Sequence, residues 1–272
     1  MRSKLAKYVS FAILLGVATL VLIPLFWAGK AVFTPNGEIF TTNLFALPSH
    51  FSLDNIRHGL AAAPFLIYFK NSVIVAISIT FTVVLTSAMT GFGFAKFDFR
   101  GKGVLFAFII AAMLMPFQAI LIPLFVEVKY LGWLDSLKGL IIPGSVSAFG
   151  IFMMRQFISG IPNELIEAAV IDGCSPWKVF RKIIVPMAKS PLAALGALAF
   201  LASWNNYLWP LVVVQSEESM TIPLGLSAFR GNNATAYGEV FAVSLIAAIP
   251  VVLLFIFMRR QIVSSFATSG IK

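Results

Sequence analysis

Six long stretches of the chain are nearly free of charged residues, and each is close to the length that a helix needs to cross a membrane. A span requires roughly 20 mostly apolar residues. Apolar residues run continuously through these stretches instead of alternating, so they are helices and not barrel strands. The fourth stretch is uncharged as far as Met154 and reaches spanning length only by including Arg155. The predicted spans are 8–29, 71–95, 103–126, 139–158, 190–216 and 240–258.

The composition leads to the same fold class. Hydrophobic residues make up 59% of the chain and charged residues only 11%, whereas soluble domains carry about 25% charged residues. A soluble domain of this length could not bury so much apolar surface, and lipid is the natural solvent for the excess. We therefore predict an all-α polytopic membrane protein with one transmembrane domain over residues 1–272.

Lys and Arg are concentrated on one side of the predicted spans. Fourteen of the 20 fall in segments 1–7, 96–102, 155–189 and 259–272, and six fall in the segments between them. Cytoplasmic loops are enriched in these residues, so both chain ends are predicted to be cytoplasmic. Membrane topology thus explains the net charge of +9, and nucleic acid is not an expected partner. The long loops are then 159–189 inside, and 30–70 and 217–239 outside.

Other patterns argue against alternative roles. The first span is longer than the apolar core of a signal peptide and no small-residue cleavage site follows, so we predict an uncleaved helix. The sequence has no phosphate-binding loop G-x-x-x-x-G-K-[ST], no H-E-x-x-H and no G-x-S-x-G. Two histidines, His50 and His58, without a nearby cluster of acidic residues and cysteines are weak evidence for a metal site. The single cysteine, Cys174, excludes an internal disulfide.

The 159–189 loop has the pattern of two short helices. Asn163 is a favourable N-cap for the first helix, and Gly173 is a stop signal. Ser175 followed by Pro176 is typical of the start of a second helix, which Pro186 is predicted to end.

Two roles are open for this helix–turn–helix. It could rest on lipid headgroups as an interfacial helix, or it could bind a cytoplasmic partner protein. Glu167, Ala168 and Ala169 form a small, acidic tip, whereas lipid-seeking helices usually present Lys and bulky residues. The sequence therefore favours binding to a partner.

The same loop resembles the cytoplasmic signature of permease subunits of binding-protein-dependent ABC importers. That signature is E-A-A, three residues, Gly, nine residues, then I-x-L-P. This chain has Glu167-Ala168-Ala169, then Gly173 and Ile183 to Pro186 at the same spacing, with Val185 in place of Leu. The resemblance implies a coupling helix that lies in a cleft of an ATPase subunit. The residues implied in that coupling are Glu167, Ala168, Ala169, Asp172, Gly173 and Pro186.

The whole chain is similar to the carbohydrate branch of that family, near the smaller permease of the maltose and glycerol-3-phosphate importers. The similarity rests on the six-span layout, Trp204-Asn205, the 217–239 loop and the tail VSSFATSGIK. It implies a second permease subunit, two ATPase subunits that bind ATP and Mg, and an extracytoplasmic solute-binding protein. It also implies a bacterial or archaeal cell membrane. The residues implied in contact with the binding protein are Leu224, Leu226, Phe229, Arg230 and Asn232.

Polar and aromatic residues in the fifth span suit a sugar pathway, because such side chains match the C–H faces and hydroxyls of a sugar. An interfacial aromatic belt with helix-packing amides explains them equally well. At membrane depth the spans offer no Lys or Arg to a phosphate ester, so a neutral carbohydrate is favoured. An ion-driven secondary transporter and a permease of a non-carbohydrate ABC importer are the alternatives. The candidate pathway residues are Trp204, Asn205, Asn206, Tyr207 and Gln118.

Overall fold

The computed structural model describes residues 4–41, 43, 46–232 and 236–269, and of residues 4, 5, 231, 232 and 259–269 it describes the backbone alone. These residues form helices and loops, with no strand in the described part of the chain, which confirms the all-α fold class. The helices are α1 (Lys4–Val32), α2 (Asp54–Ala61), α3 (Phe65–Lys96), α4 (Lys102–Leu114), α5 (Phe117–Tyr130), α6 (Leu137–Ile141), α7 (Ala148–Ser159), α8 (Asn163–Ile171), α9 (Pro176–Val179), α10 (Val185–Met187), α11 (Lys189–Trp204), α12 (Leu208–Val213), α13 (Ile222–Asn232) and α14 (Tyr237–Ser269).

Three helices among the described residues are long and apolar enough to cross a membrane. Two further pairs of helical stretches pass the same test together, although the chain bends by 102° between α4 and α5 and by 80° between Pro176–Met187 and α11. The number of spans rises to five if each bent pair is one span. The count of six stays a prediction, because the predicted fourth span consists of two short helices, α6 and α7, separated by residues 142–147.

The bend in the predicted third span lies at Pro116. Met115 has an extended backbone, with φ −80° and ψ 121°, which is the conformation that a following proline favours. Pro116 also lacks the N–H that would continue the helix. Pro123, by contrast, lies inside the continuous helix α5. The chain thus changes direction within the predicted span 103–126, and it stays a prediction that α4 and α5 together form one span.

Contacts within the chain divide it into two compact units. The first contains residues up to Phe65 together with Gly225–Ile249. Here the side-chain amide of Asn55, which is 5% exposed, donates to the backbone carbonyls of Val32 at 3.0 Å and Thr34 at 2.7 Å. These carbonyls lie at the C-terminal end of α1 and just beyond it, so Asn55 joins α2 to that end of α1.

The second unit contains Leu66–Leu224 and the residues from Pro250 onward. Its core joins α3, α7, α11 and the 159–189 segment through buried apolar side chains. The backbones of α3 and α7 approach closely at Gly91, where a Cβ would lie 2.7 Å from the Cβ of Met154. Small residues permit such close contact between membrane helices. Core members include Val83, Phe92, Met154, Ile158, Ala169, Val179, Phe180, Ile184, Leu195 and Val213.

Candidate functional site

The first helix of the 159–189 segment begins differently from the sequence prediction. Pro162 occupies the N-cap position of α8 and Asn163 is its first helical residue, so the prediction that Asn163 is the N-cap is wrong. The Asn163 side chain instead accepts a hydrogen bond of 2.7 Å from Nζ of Lys96. The same ammonium group donates to the backbone carbonyl of Ile161. The start of α8 is thereby tied to the end of α3.

The end of α8 is a Schellman motif. Gly173 has φ +76°, a left-handed conformation that glycine adopts without steric cost. Its N–H donates to the carbonyl of Val170 at 3.0 Å, and the N–H of Cys174 donates to Ala169 at 2.8 Å. These two bonds are the pair that defines the motif. The structure thus confirms the predicted helix stop at Gly173.

The helix α8 is fixed on one side and open on the other. Ala169 is 8% exposed and belongs to the core, whereas Glu167, Ala168 and Asp172 are all exposed. Ile171 beside them is 86% exposed. Exposed apolar patches mark protein or membrane interaction sites, so the exposed side of α8 fits either of the two roles considered for this segment.

The second helix of the segment begins as predicted and ends one residue later. The hydroxyl of Ser175 accepts a hydrogen bond from the N–H of Lys178, with Pro176 in the first helical position. Phe180–Ile184 then form a π-helical turn before α10. Pro186 explains this turn, because it cannot donate to the carbonyl four residues earlier. The sequence predicts an end at the exposed Pro186, whereas the helix runs to Met187 before the 80° bend.

Aromatic contacts attach the second helix to α3. The ring of Phe180 lies 5.7 Å from that of Phe92, centroid to centroid, and 5.4 Å from that of Trp177. Phe92 and Phe180 are buried, whereas Trp177 is 55% exposed. Both helices of the 159–189 segment therefore contact α3, in addition to the adjoining helices α7 and α11.

The polar and aromatic group of the predicted fifth span lies at a break in the helix. The helix α11 ends at Trp204 and α12 begins at Leu208. The side-chain oxygen of Asn206 accepts from the N–H of Trp209 at 3.3 Å. Trp204 is 3% exposed and its ring stacks on that of Phe200 at 5.6 Å, so this indole lies in the core. Asn205, Tyr207 and the more distant Gln118 are exposed.

A cavity of about 550 Å³ lies between α3, α11 and the connection before α7. Of the five candidate pathway residues, Asn206 lines it. Ser203 also lines it, and its buried hydroxyl makes no hydrogen bond to any described residue. The sequence signal for this cavity is the small and polar run Gly144 to Ser147, which interrupts the predicted fourth span. The lining residues are Ile79, Val83, Gly144, Val146, Ser147, Phe149, Leu195, Leu198, Ala199, Ala202, Ser203 and Asn206.

All five residues predicted to contact a binding protein lie on α13. Leu224 and Phe229 are 6% and 4% exposed, and the ring of Phe229 packs edge-on against that of Phe65 at 5.3 Å. Leu226 is partly buried and Arg230 is exposed. Asn232 is the last residue of the helix, and its side chain lies outside the described residues.

The segment before α13 is fixed by Asp135. Its carboxylate accepts hydrogen bonds of 3.0 Å from the N–H groups of both Gln215 and Ser216. Burial alone would raise the pKa of Asp135, but these bonds and those of the Ser216 and Ser219 hydroxyls lower it below its ordinary value. The residue has φ +53°, a conformation that Asp and Asn tolerate better than other side chains.

We expect Asp135→Ala to loosen this junction while Asp135→Asn largely preserves it. Alanine loses the acceptor and favours φ > 0 less, whereas asparagine keeps an acceptor oxygen. Each lost hydrogen bond costs about 1 kcal/mol, so amide hydrogen exchange at Gln215 and Ser216 should accelerate by about tenfold or more in the alanine variant.

The pH dependence of this junction follows from the lowered pKa of Asp135. Because the folded pKa of Asp135 is lowered, its stabilising contribution is complete above the ordinary Asp value and is lost as the pH falls through the folded pKa. The difference in amide hydrogen-exchange rate at Gln215 and Ser216 between the wild type and Asp135→Asn should therefore become smaller as the pH falls. A difference that stays constant with pH would contradict this role of the carboxylate.

Comparison with known proteins identifies relatives along the whole chain. Residues 83–265 match the family model described as binding-protein-dependent transport system inner membrane component. The arabinooligosaccharides transport system permease protein AraQ of Halalkalibacterium halodurans is 32% identical over 278 residues, covering 100% of both chains. The lactose transport system permease protein LacG of Rhizobium radiobacter is 33% identical, covering 99% of this chain and 98% of the relative.

Two further matches extend the comparison. The sn-glycerol-3-phosphate transport system permease protein UgpE of Salmonella typhimurium is 34% identical, covering 94% of each chain. A chain in the crystal structure of a bacterial ABC transporter involved in the import of the acidic polysaccharide alginate has a TM-score of 0.84 to this one. It is 24% identical, and the match covers 96% of this chain and 98% of that chain. At that identity the likeness shows a common fold.

Proposed function

The chain belongs to the family of binding-protein-dependent transport system inner membrane components, and on that premise we propose that it is one of two permease subunits of a carbohydrate ABC importer. Its role is transport, and the ATP hydrolysis that drives transport belongs to partner subunits. The observation that carries the proposal is α8, where an exposed Glu167 and Ala168 precede the left-handed Gly173 at the E-A-A-x-x-x-G spacing.

The exposed side of α8 binds the ATPase subunit in this proposal. Glu167 pairs with a basic residue of the ATPase, and the small Ala168 lets the two backbones approach closely. Ile171 and Trp177 supply apolar contact area, being 86% and 55% exposed. Ala169 has a different role, because its burial fixes α8 to the core of the permease.

ATP and Mg bind to two partner ATPase subunits. When these subunits close on nucleotide, they carry the 159–189 segment with them. The segment adjoins α7 at one end and α11 at the other, so its displacement moves both helices. Alternating access then results from the movement of two permease subunits against each other, with the chain ends on the ATPase side of the membrane.

The cavity beside Asn206 is this subunit's contribution to the pathway between the two permeases. Its lining contains no charged side chain, and its polar side chains are those of Ser147, Ser203 and Asn206. Hydroxyl and amide groups suit the hydroxyls of a neutral sugar, whereas a phosphate ester would need a cation. A neutral carbohydrate is therefore the proposed substrate class, and an extracytoplasmic binding protein delivers it to the 217–239 loop through Arg230 and its neighbours.

An ion-driven secondary transporter is the weaker alternative. Such carriers use charged residues within their spans to bind coupling ions. In this chain the predicted spans carry almost no charge, and the family membership connects it to binding-protein-dependent transport.

The test of the proposal is the substitution Glu167→Gln in the complex with its cognate ATPase and partner permease. Truncating one partner of a desolvated charge pair typically costs 2–5 kcal/mol. ATP-driven sugar uptake into proteoliposomes should therefore fall by about tenfold or more, and less ATPase should co-purify with the tagged permease.

Asp98→Asn is the control, because Asp98 is an exposed carboxylate of the 96–102 segment, which is predicted to lie on the same side of the membrane but outside the 159–189 segment. This variant should transport at nearly the wild-type rate. Equal losses in the two variants would indicate an effect of net charge and not a specific contact of Glu167. Normal uptake by Glu167→Gln, or a wild-type permease that co-purifies with no ATPase, would refute the proposal.

A further inference from the structure

The helix α3 contacts both helices of the 159–189 segment. It is bonded to the start of α8, and it packs against the π-helical turn that follows α9. Lys96, its last residue, donates to the carbonyl of Ile161 and to Oδ1 of Asn163. Four residues earlier on α3, the ring of Phe92 packs on Phe180. Hydrogen bonds from an ammonium group are charge-assisted and about twice as strong as neutral ones. A displacement of the segment is therefore opposed unless α3 moves with it.

The other end of α3 is bonded to residues just before α13 and to the first residue of that helix. The side-chain amide of Asn71 donates to the carbonyls of Glu218 at 2.7 Å and Met220 at 2.9 Å. The hydroxyl of Ser72 accepts from the N–H of Ile222 at 2.8 Å. Asn71 and Ser72 are 6% and 3% exposed, so water competes little for these bonds.

The body of α3 between the two ends is continuous. The helix has no proline, and it runs without interruption from Phe65 to Lys96. Its close backbone contact with α7 at Gly91 restricts sliding of one helix along the other. At 1.5 Å per residue, Asn71 and Lys96 are about 38 Å apart along the helix.

We propose that α3 is a rigid link between the ATPase-binding segment and the 217–222 segment, with Lys96 and Asn71 as the positioning residues at its two ends. This inference rests on the proposed function, in which one end of α3 follows the ATPase and the other supports the loop that meets the binding protein. A sugar-loaded binding protein at the 217–239 loop then promotes closure of the ATPase subunits through α3, and ATPase closure acts on the loop through the same helix. Such coupling is reciprocal by thermodynamic necessity.

The experiment measures how strongly sugar-loaded binding protein stimulates ATP hydrolysis by the complete complex in nanodiscs. We expect Lys96→Met to lower the stimulation factor by about fivefold or more, which is a coupling energy of about 1 kcal/mol. Asn71→Ala should lower it to a similar degree from the other end of the helix. Lys96→Arg should restore most of the stimulation, because a guanidinium group can still donate to a carbonyl and an amide oxygen.

Two exposed neighbours provide matched controls. Arg100→Met removes a cation close to Lys96, and Lys70→Ala truncates the residue before Asn71; both side chains are exposed. Neither control should change the stimulation factor. A loss in Arg100→Met equal to that in Lys96→Met would assign the effect to surface charge and overturn the inference.

The double variant Lys96→Met with Asn71→Ala separates a link from two unrelated defects. Sites this far apart normally behave additively. If both residues act through one helix, the double variant should lose no more stimulation than the single variants. If the fold-losses of the two single variants multiply in the double variant, the inference is overturned. Wild-type stimulation in either single variant would overturn it as well. A wild-type complex without any ATP-driven transport would instead contradict the proposed function itself.

Discussion

Replacing Gly173 with valine should reduce ATP-driven uptake by about tenfold or more. The left-handed conformation costs an ordinary L-residue about 1–2 kcal/mol and a β-branched one more, and Gly173 has φ +76°. Relief of that strain would unwind the Schellman turn and change the orientation of α8 relative to α9. Glu167 and Asp172 would then no longer match the surface of the ATPase. Uptake into proteoliposomes and co-purification of the ATPase measure the effect.

Gly101→Val provides the control for backbone strain alone. Gly101 has φ +84°, and a Cβ there would meet nothing within 4 Å, as is also true at Gly173. It precedes α4 and lies outside the 159–189 segment. Gly101→Val should retain most of the uptake. Equal losses in both variants would show that strain at any left-handed glycine is enough to reduce uptake. Wild-type uptake by Gly173→Val would mean that the turn is dispensable for coupling.

Replacing Gly91 with alanine should destabilise the packing of α3 on α7. A Cβ at this position would lie 2.7 Å from the Cβ of Met154 and 2.9 Å from the backbone nitrogen of Arg155. Both atoms are too close, and one of them belongs to the backbone, so the helices must separate. Overpacking of this kind costs about 1–3 kcal/mol or more. The thermal midpoint of the purified complex and its yield from membranes should both decrease.

Gly93→Ala is the matched control, two residues further along the same helix. A Cβ at Gly93 would meet nothing within 4 Å, and alanine is favoured over glycine in a helix by about 1 kcal/mol. Gly93→Ala should therefore leave the midpoint unchanged or raise it. Similar midpoints for the two variants would contradict the close contact between α3 and α7.

The prolines show how far sequence patterns determine the path of the chain. Pro116 coincides with a bend of 102°, whereas Pro24, Pro123 and Pro250 lie inside continuous helices. The local chemistry of these prolines is the same, since each lacks an N–H and fixes its own φ. A membrane helix stays continuous through a proline where other groups or local adjustments of the helix satisfy the freed backbone carbonyls, and a single sequence does not contain that information.

The roles of individual side chains in the candidate site also depend on contacts that the sequence does not show. The sequence gives no indication that Asn163 binds Lys96, because the two residues are 67 positions apart and Asn163 has an adequate local role as an N-cap. Trp204 has the kind of aromatic side chain expected in a sugar pathway, yet it is buried against Phe200. The cavity is lined instead by residues from three separate elements, most of which are small or aliphatic.

Sequence patterns were sufficient to predict the apolar helices, the stop at Gly173 and the cap at Ser175. These features depend on residue type over a few neighbouring positions, through the cost of charge in lipid, the freedom of glycine and the reach of a hydroxyl. Tertiary structure alone decided where the spans bend, which aromatic rings enter the core, and that α3 contacts both the 159–189 segment and the residues before α13. Those features depend on contacts between residues far apart in the chain, whose partners become neighbours only when the helices pack.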